Sequence, residues 1–267
     1  MPVAIRLERW EGCTAEELSR AWGVPGVRLF ASVGSTNDVA RRLGEAGAPS
    51  GTVVIAEEQL TGRGRAGRSW SSPPGLGLWL SVLHRPHSPD EIAPLPLRVA
   101  LATAAAIEHG CDQTVGVKWP NDLLIGGRKV GGILCEGAWE TGELRYVVIG
   151  IGLNLLHSWE DFPPEIRGTA TSLRQASSQA ISRFETASRV IEGLRREVLG
   201  GSRTEGLPRD LGGRDVLRSR RVEVLEPETG RVLAQGIADG IGPDGALLLW
   251  NASGSTEVRS GTIRVIG

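Results

Sequence analysis

Lysine is almost absent from this 267-residue chain: of its 30 basic residues, only Lys118 and Lys129 are lysines. A sequence that writes Arg nearly everywhere yet keeps Lys at two neighbouring positions points to a need for an ammonium there, with chance as the bland alternative. Cysteine is scarce too. Cys13, Cys111 and Cys135 are odd in number, far apart and outside any Cys-x-x-Cys spacing, which argues against a disulfide framework and against a thiolate metal site. No apolar run approaches the ~18 residues of a membrane span, and charge interrupts Met1–Trp10 too often for a signal peptide, so a cytoplasmic protein is expected. An excess of one charge is also missing. With 30 basic and 31 acidic residues the net charge is −1, unlike a dedicated nucleic-acid binder, and any basic chemistry must be local.

What is present is an ordinary globular composition, 40% apolar and 23% charged, in a length that predicts one to two domains at about 150 residues each. Glycine is the exception. Its 37 residues are about twice the usual share, which predicts tight turns and close backbone approaches.

A helix is expected over Thr14–Trp22, with Thr14 and Glu17 as a capping box, and another from Ser35–Asp38 with Val39, Ala40, Leu43 and Ala46 at helical spacing. Val53–Ala56 and Leu78–Leu83 read as strands, Leu95–His109 as the best long helix, and Val115–Trp119 as a strand stopped by Pro120. Gly126-Gly127 suits a two-residue turn between Leu123–Ile125 and Arg128–Leu134. Tyr146–Leu155 reads as a strand whose Gly150 and Gly152 let something come close to the backbone. Ser182–Leu199 reads as a helix. Beyond about Asp210 the style changes to short strands with glycine turns: Arg221–Leu225, Arg231–Ala238, Ala246–Trp250 and Thr262–Ile266. Two units are therefore expected, 1–210 and 211–267.

The residues with chemistry cluster in a few stretches. Gly62-Arg63-Gly64-Arg65-Ala66-Gly67-Arg68 alternates guanidiniums with glycines, a pattern suited to a flexible flap over a phosphorylated ligand. A solvated loop or an RNA contact fits the composition as well. Lys118-Trp119-Pro120-Asn121-Asp122 puts an ammonium, an amide and a carboxylate at a strand end, where hard oxygen ligands suit Mg²⁺ or phosphate and a plain Asn-Asp turn is the bland reading. Period-two alternation places Lys129, Gly131 and Ile133 on one face, as if a ligand lay flat on glycine beside the ammonium. Ser35–Asp38 reads either as a capping box or as a polar ligand site at a helix start. His84 and His87 lack a carboxylate or thiolate cluster and read as surface residues without metal. Most of the eight tryptophans read as packing residues, with Trp70 placed to stack on a base.

Together these motifs resemble one family, the biotin protein ligases. Ser35-Thr36-Asn37, Gln59…Gly62–Arg68, Lys118–Asp122, Arg128-Lys-Val-Gly-Gly-Ile-Leu134 and Gly150-Ile-Gly-Leu-Asn154 occur in that family's order and spacing, and the likeness runs from about Phe30 to the C-terminus. The resemblance implies an α+β fold: a class II aminoacyl-tRNA synthetase-like catalytic domain of mixed β-sheet and flanking helices, then a small SH3-like β-barrel. It implies that biotin attacks the α-phosphorus of ATP to give biotinyl-5′-AMP, and that a lysine of a biotin carboxyl carrier protein takes the biotinyl group. ATP with Mg²⁺ and biotin are then substrates, with no tightly bound prosthetic group. On this reading Lys129, Arg63 and Arg65 are catalytic. Ser35, Thr36, Asn37, Gln59, Arg63, Gly64, Arg65, Lys129, Gly131 and Gly132 hold biotin. Arg65, Arg68, Trp70, Asn121, Asp122 and Asn154 hold the nucleotide, with Mg²⁺ near Asn121 or Asp122. Only about 30 residues precede Ser35, so the ligase-only type without a winged helix is expected, with neither DNA nor membrane as partner and a homodimer left open. A lipoate–protein ligase of the same fold is the nearest alternative, and a nucleic-acid-binding regulator is a more distant one.

Overall fold

The computed structural model describes residues 4–200, 206–252 and 254–266. It begins with β1 (Ile5–Arg6) and a hairpin of β2 (Arg9–Trp10) and β3 (Cys13–Thr14), followed by α1 (Ala15–Trp22). The capping box is formed as expected: the Glu17 amide donates to Thr14 Oγ1 at 3.2 Å and the Thr14 amide to the Glu17 carboxylate at 2.7 Å. Next come β4 (Val27–Val33), α2 (Thr36–Glu45), β5 (Val53–Gln59), β6 (Gly77–His84), α3 (Leu95–Glu108), β7 (Gly116–Lys118), β8 (Asp122–Ile125), β9 (Arg128–Glu140), β10 (Glu143–Asn154), α4 (Leu173–Ala176) and α5 (Arg183–Leu194). The strands form one sheet of eight in the order β1-β4-β5-β6-β10-β9-β8-β7. β4 and β5 run parallel and the other neighbours antiparallel, which is the mixed sheet anticipated.

Alternation along these strands sorts their side chains onto two faces. Val53, Ile55, Leu80, Val82, Val147, Ile149 and Ile151 belong to the main core, which they share with α3 and α5. The opposite face carries Phe30, Val54, Leu83, Tyr146 and Val148, packed with Val39 and Ala40 of α2. On that second face β10 reads Tyr146, Val148, Gly150, Gly152, Asn154. The side chains vanish at Gly150 and Gly152, where β10 reaches the first turn of α2 and the cavity beside it.

The Gly126-Gly127 turn is formed with φ of 56° and 78°, which suits a type I′ hairpin. One expectation for its second strand is wrong. Leu123 pairs with Gly131 but Leu124 pairs with Lys129, so Val130 is an extra residue, a β-bulge. The bulge breaks the alternation and re-aims the side chains on either side of it. Val130 is buried in the main core, and a Cβ on Gly131 would meet Leu153 Cδ2 at 2.5 Å and Leu123 Cδ1 at 3.4 Å. Lys129 turns to the other face, where its Nζ lies 3.5 Å from a Cβ built on Gly132. Lys129 therefore shares a face with Gly132, not with Gly131 and Ile133.

The second sheet is antiparallel, built from β11 (Arg221–Leu225), β12 (Val232–Ile241), β13 (Leu247–Asn251), β14 (Gly254–Val258) and β15 (Thr262–Val265) in the order β14-β13-β12-β11-β15. All of these strands except β14 are expected from the sequence. Before this sheet begins, the chain returns to the first one: the Val117 amide donates to Arg214 O at 2.7 Å, and the Val216 amide to Val117 O at 3.2 Å. Trp119 Nε1 donates to Gly245 O at 3.0 Å and ties the two sheets together.

One smaller expectation fails. His84 is 3% exposed and lies 3.7 Å from Glu91, not on the surface. Most tryptophans pack as expected, while Trp139, Trp159 and Trp250 are exposed. Among the described residues, no helix is long and apolar enough to cross a membrane.

The bulge makes a sharp forecast. Gly131→Ala should crowd Leu153 in the core and cost about 1–3 kcal/mol of stability, read as a lowered denaturant midpoint. Unchanged stability would mean that Gly131 does not face the core.

Candidate functional site

A cavity of about 780 Å³ opens between the α2 face of the large sheet, the Arg-Gly loop and the edge of the second sheet. Of the site residues expected from sequence, Ser35, Thr36, Asn37, Gln59, Arg63, Gly64, Arg65, Arg68, Trp70, Asn121, Asp122, Lys129, Gly132 and Asn154 all line it. Gly131 does not, because the bulge turns it into the core.

One end of the cavity is a buried polar wall. Ser35 starts α2 but makes no capping hydrogen bond with its side chain, which corrects the capping-box reading. Thr36 and Asn37 point sideways instead. The Thr36 amide and hydroxyl both reach Gln59 Oε1, at 2.9 and 3.0 Å, and Gln59 Nε2 donates to Ser72 Oγ at 2.9 Å. Asn37 lies over Gly150, where any Cβ would fall 2.4 Å from its Oδ1. Gly150 is thus required by a side chain of the protein itself.

The other end is cationic. Arg63 makes a two-pronged contact with Asp38 at 2.9 and 2.6 Å, and that guanidinium holds the Asp38 carboxyl below the usual carboxylate range. Lys129 Nζ is 2.6 Å from Asp122 Oδ1 and 5.2 Å from the centre of the Trp70 ring, a cation–π distance. Arg65 is held differently. It donates to Gly261 O at 3.4 Å, and burial lowers its pKa, the mark of a charge taken from water without a full counter-ion. Arg68 reaches Thr262 Oγ1 at 3.2 Å. The loop that carries these arginines is held by Gly64 N–H to Arg68 O at 2.7 Å and Trp70 N–H to Gly62 O at 2.9 Å.

The floor differs from the sequence reading. Trp70 stands against the glycines of β9 and β10, with its Nε1 2.7 Å from a Cβ built on Gly152 and its Cζ3 3.5 Å from one on Gly132. Gly152 therefore makes room for the protein's own indole. Trp70 Nε1 is buried without a hydrogen-bond partner. Asn121 Nδ2 donates to Ile133 O at 2.6 Å and Asn154 Nδ2 to Thr171 O at 3.1 Å, so both amides brace backbone as well as line the cavity.

Sequence reasoning missed a third wall. His157 is 1% exposed, stacks on Phe162 with ring centres 4.8 Å apart, and meets Trp79 edge-on at 6.0 Å. Both His157 and Phe162 line the cavity with Ile166 and Ala170, as do Pro227, Leu233 and Gly261 of the second sheet and its turns. These residues carry no motif, and no local signal marks them.

Among the described residues no group of three or more His, Cys, Asp or Glu is arranged to hold a metal ion. Asp122 is a single carboxylate facing the cationic end, which suits an ion that arrives already bound to phosphate oxygens.

A mixed sheet with a polar wall, a glycine floor and a cationic loop facing it defines a catalytic domain of the biotin and lipoate ligase class, and comparison with known proteins agrees. Residues 29–154 match the model of the Biotin/lipoate A/B protein ligase family. The biotin--[acetyl-CoA-carboxylase] ligase of Mycobacterium tuberculosis is 32% identical over 245 residues, covering 87% of this chain and 85% of that protein. The bifunctional ligase/repressor BirA of Bacillus spizizenii is 43% identical over 152 residues, 57% of this chain and 47% of BirA, so the chain spans about half the length of that relative. Among solved structures, the biotin protein ligase of Aquifex aeolicus in complex with biotin and ATP superposes with a TM-score of 0.74 at 26% identity, covering 90% of this chain and 98% of that one. This chain belongs to the biotin protein ligase family.

Burial pushes the His157 pKa down to about 4. As pH falls through about 6.5 the unfolded chain takes up this proton while the folded chain refuses it until about pH 4, so the imidazole's share of stability is whole above pH 6.5 and declines towards pH 4. His157→Phe should flatten the fall in unfolding midpoint across that interval. A wild-type and variant difference that does not change with pH would show that His157 titrates normally.

Proposed function

We propose that this chain joins biotin to ATP in the cavity, forms biotinyl-5′-AMP, and passes the biotinyl group to a lysine of a biotin carboxyl carrier protein. The observation that carries the reading is the pairing of each cation of the loop and floor with something an anion can displace. Lys129 leans on Asp122, Arg63 on Asp38, and Arg65 on a carbonyl.

The chemistry asks for this. A carboxylate and a triphosphate repel each other, and their reacting atoms must come within van der Waals contact in line. Lys129 is a compact charge at the seam between the polar wall and the Arg loop. From there it contacts both the attacking carboxylate oxygen and the α-phosphate, and it stabilises negative charge as that builds on phosphorus. Arg63 and Arg65 reinforce it from the loop, with Arg68 towards the nucleotide. Ser35, Thr36, Asn37 and Gln59, with the backbone at Gly132, read the ureido ring, while Trp70, Asn121, Asp122 and Asn154 bound the nucleotide end. Mg²⁺ enters with ATP as part of the substrate, next to Asp122. The arginine loop closes over the anhydride and keeps water from it.

In the second step the carrier's lysine amine attacks the anhydride carbonyl and AMP leaves. The second sheet begins at Arg221, after residues 214–216 have paired with the first, and its turns complete the rim of the cavity. The protein works in the cytoplasm, and DNA takes no part in the reaction.

Biotin-dependent exchange of pyrophosphate into ATP tests the first step. Lys129→Arg keeps the charge but replaces a point donor with a broad planar one, and exchange should fall by at least about 10²-fold, as when a preorganised donor is removed. Exchange close to wild type would remove Lys129 from the mechanism. Exchange supported equally by lipoate would favour a lipoate ligase.

A further inference from the structure

Behind the polar wall a chain of contacts runs from the cavity-lining Thr36, Asn37 and Gln59 to Ser81 and Glu136, which do not line the cavity. Asn37 reaches across Gly150 of β10 and is gripped from both sides. Its Nδ2 donates to Glu136 Oε2 on β9 at 2.6 Å, and its Oδ1 lies 2.6 Å from Ser81 Oγ on β6. Ser81 Oγ is in turn 2.7 Å from Thr36 Oγ1, which is 3.0 Å from Gln59 Oε1. The second oxygen of Glu136 takes Arg41 at 3.2 Å. Ser81 is fully buried, with Thr36 and Asn37 nearly so, so water does not settle their protons.

The protons can be counted. A carboxylate only accepts, so Glu136 fixes the Asn37 amide with its NH₂ towards β9 and its carbonyl towards Ser81. The Thr36 amide donates to Gln59 Oε1 at 2.9 Å, which fixes the Gln59 amide the same way, with its carbonyl towards Thr36. Between these two carbonyl oxygens stand two hydroxyls and three short contacts: Gln59–Thr36, Thr36–Ser81 and Ser81–Asn37. Each hydroxyl has one proton. Two protons cannot fill three contacts. With Thr36 donating to Ser81 and Ser81 to Asn37, both carbonyls have a donor, since Gln59 Oε1 keeps the Thr36 amide. The contact between Thr36 Oγ1 and Gln59 Oε1 then has no proton, and lone pairs of these two cavity-lining residues are left open to a donor.

We propose that Glu136 is a positioning residue that sets the specificity of this wall: by fixing the hydrogen-bond polarity of Asn37, Ser81 and Thr36, it makes the wall demand an N–H donor from its ligand. The inference rests on the reading of biotin as that ligand, whose ureido ring carries two such donors. Glu136 does this from outside, since it does not line the cavity.

Glu136→Gln keeps the shape and removes the constraint. A carboxamide can present its carbonyl or its NH₂ to Asn37, which lets Asn37 turn over and donate to Ser81. Ser81 then donates to Thr36 and Thr36 to Gln59, so all three contacts have their own proton and no ligand is needed to complete them. Calorimetric titration of the full chain with biotin, alongside unfolding without ligand, separates this from a merely structural role. In Glu136→Gln the biotin Kd should rise about ten-fold, on the scale of one or two hydrogen bonds, while the ligand-free unfolding midpoint stays level or rises and the KM for ATP is unchanged. The wild-type preference for biotin over an analogue with one ureido N–H replaced by ring oxygen should also shrink. A biotin Kd equal to wild type, or a weaker one together with a lowered midpoint, would overturn the proposal alone. Absence of biotin binding by the wild-type protein would overturn the ligand reading and this inference with it.

Discussion

The constraint on which the structure turns is the keeping of three cations together over one cavity before any anion has arrived. Lys129, Arg63 and Arg65 converge there, and like charges in a half-buried space repel unless each finds a partner. The protein lends Asp122 to Lys129 and Asp38 to Arg63, and leaves Arg65 with a carbonyl. Such pairs hold the cations in place yet give way, because a carboxylate or phosphate of a substrate offers the same contacts. The Trp70 indole under the ammonium adds a partner that carries no net charge.

That arrangement depends on the backbone more than on the side chains that decorate it. A single extra residue, Val130, turns Lys129 out of the core and over the cavity. Gly150 and Gly152 take away side chains where Asn37 and Trp70 must lie flat on β10. The same sheet whose far face is continuous core with α3 and α5 thus presents a strip of glycines on its near face, on which Asn37 and Trp70 lie, and both side chains line the cavity. The polar wall and the cationic residues flank it.

Much of this was legible in the residues. The capping box at Thr14, the hairpin at Gly126-Gly127 and the strands to either side come from local rules whose causes lie within a few residues. The composition of the cavity was legible too, because its linked motifs were recognisable together. What local reading could not see was set by long-range pairing. The bulge at Val130 appears only when β8 is laid beside β9, and for that reason Gly131 was assigned to the wrong face. That Trp70 lies against Gly132 and Gly152 was not legible, since nothing in its neighbours in sequence announces those two glycines. His157 and Phe162 were missed because they lie in chain without periodicity, and Glu136 because a lone acidic residue on a strand reads as solvated surface.

The proposed chemistry requires a carboxylate oxygen of biotin to become bonded to the α-phosphorus of ATP. Biotin labelled with ¹⁸O in its carboxyl group, incubated with the protein, ATP, Mg²⁺ and a biotin carboxyl carrier protein, tests this directly through the mass of the AMP released. Attack by the carboxylate leaves one labelled oxygen on AMP after the biotinyl group departs, so AMP carrying a single ¹⁸O is expected. Unlabelled AMP accompanying biotinylated carrier would mean that the carboxylate never bonded to phosphorus, and the adenylate route would be contradicted.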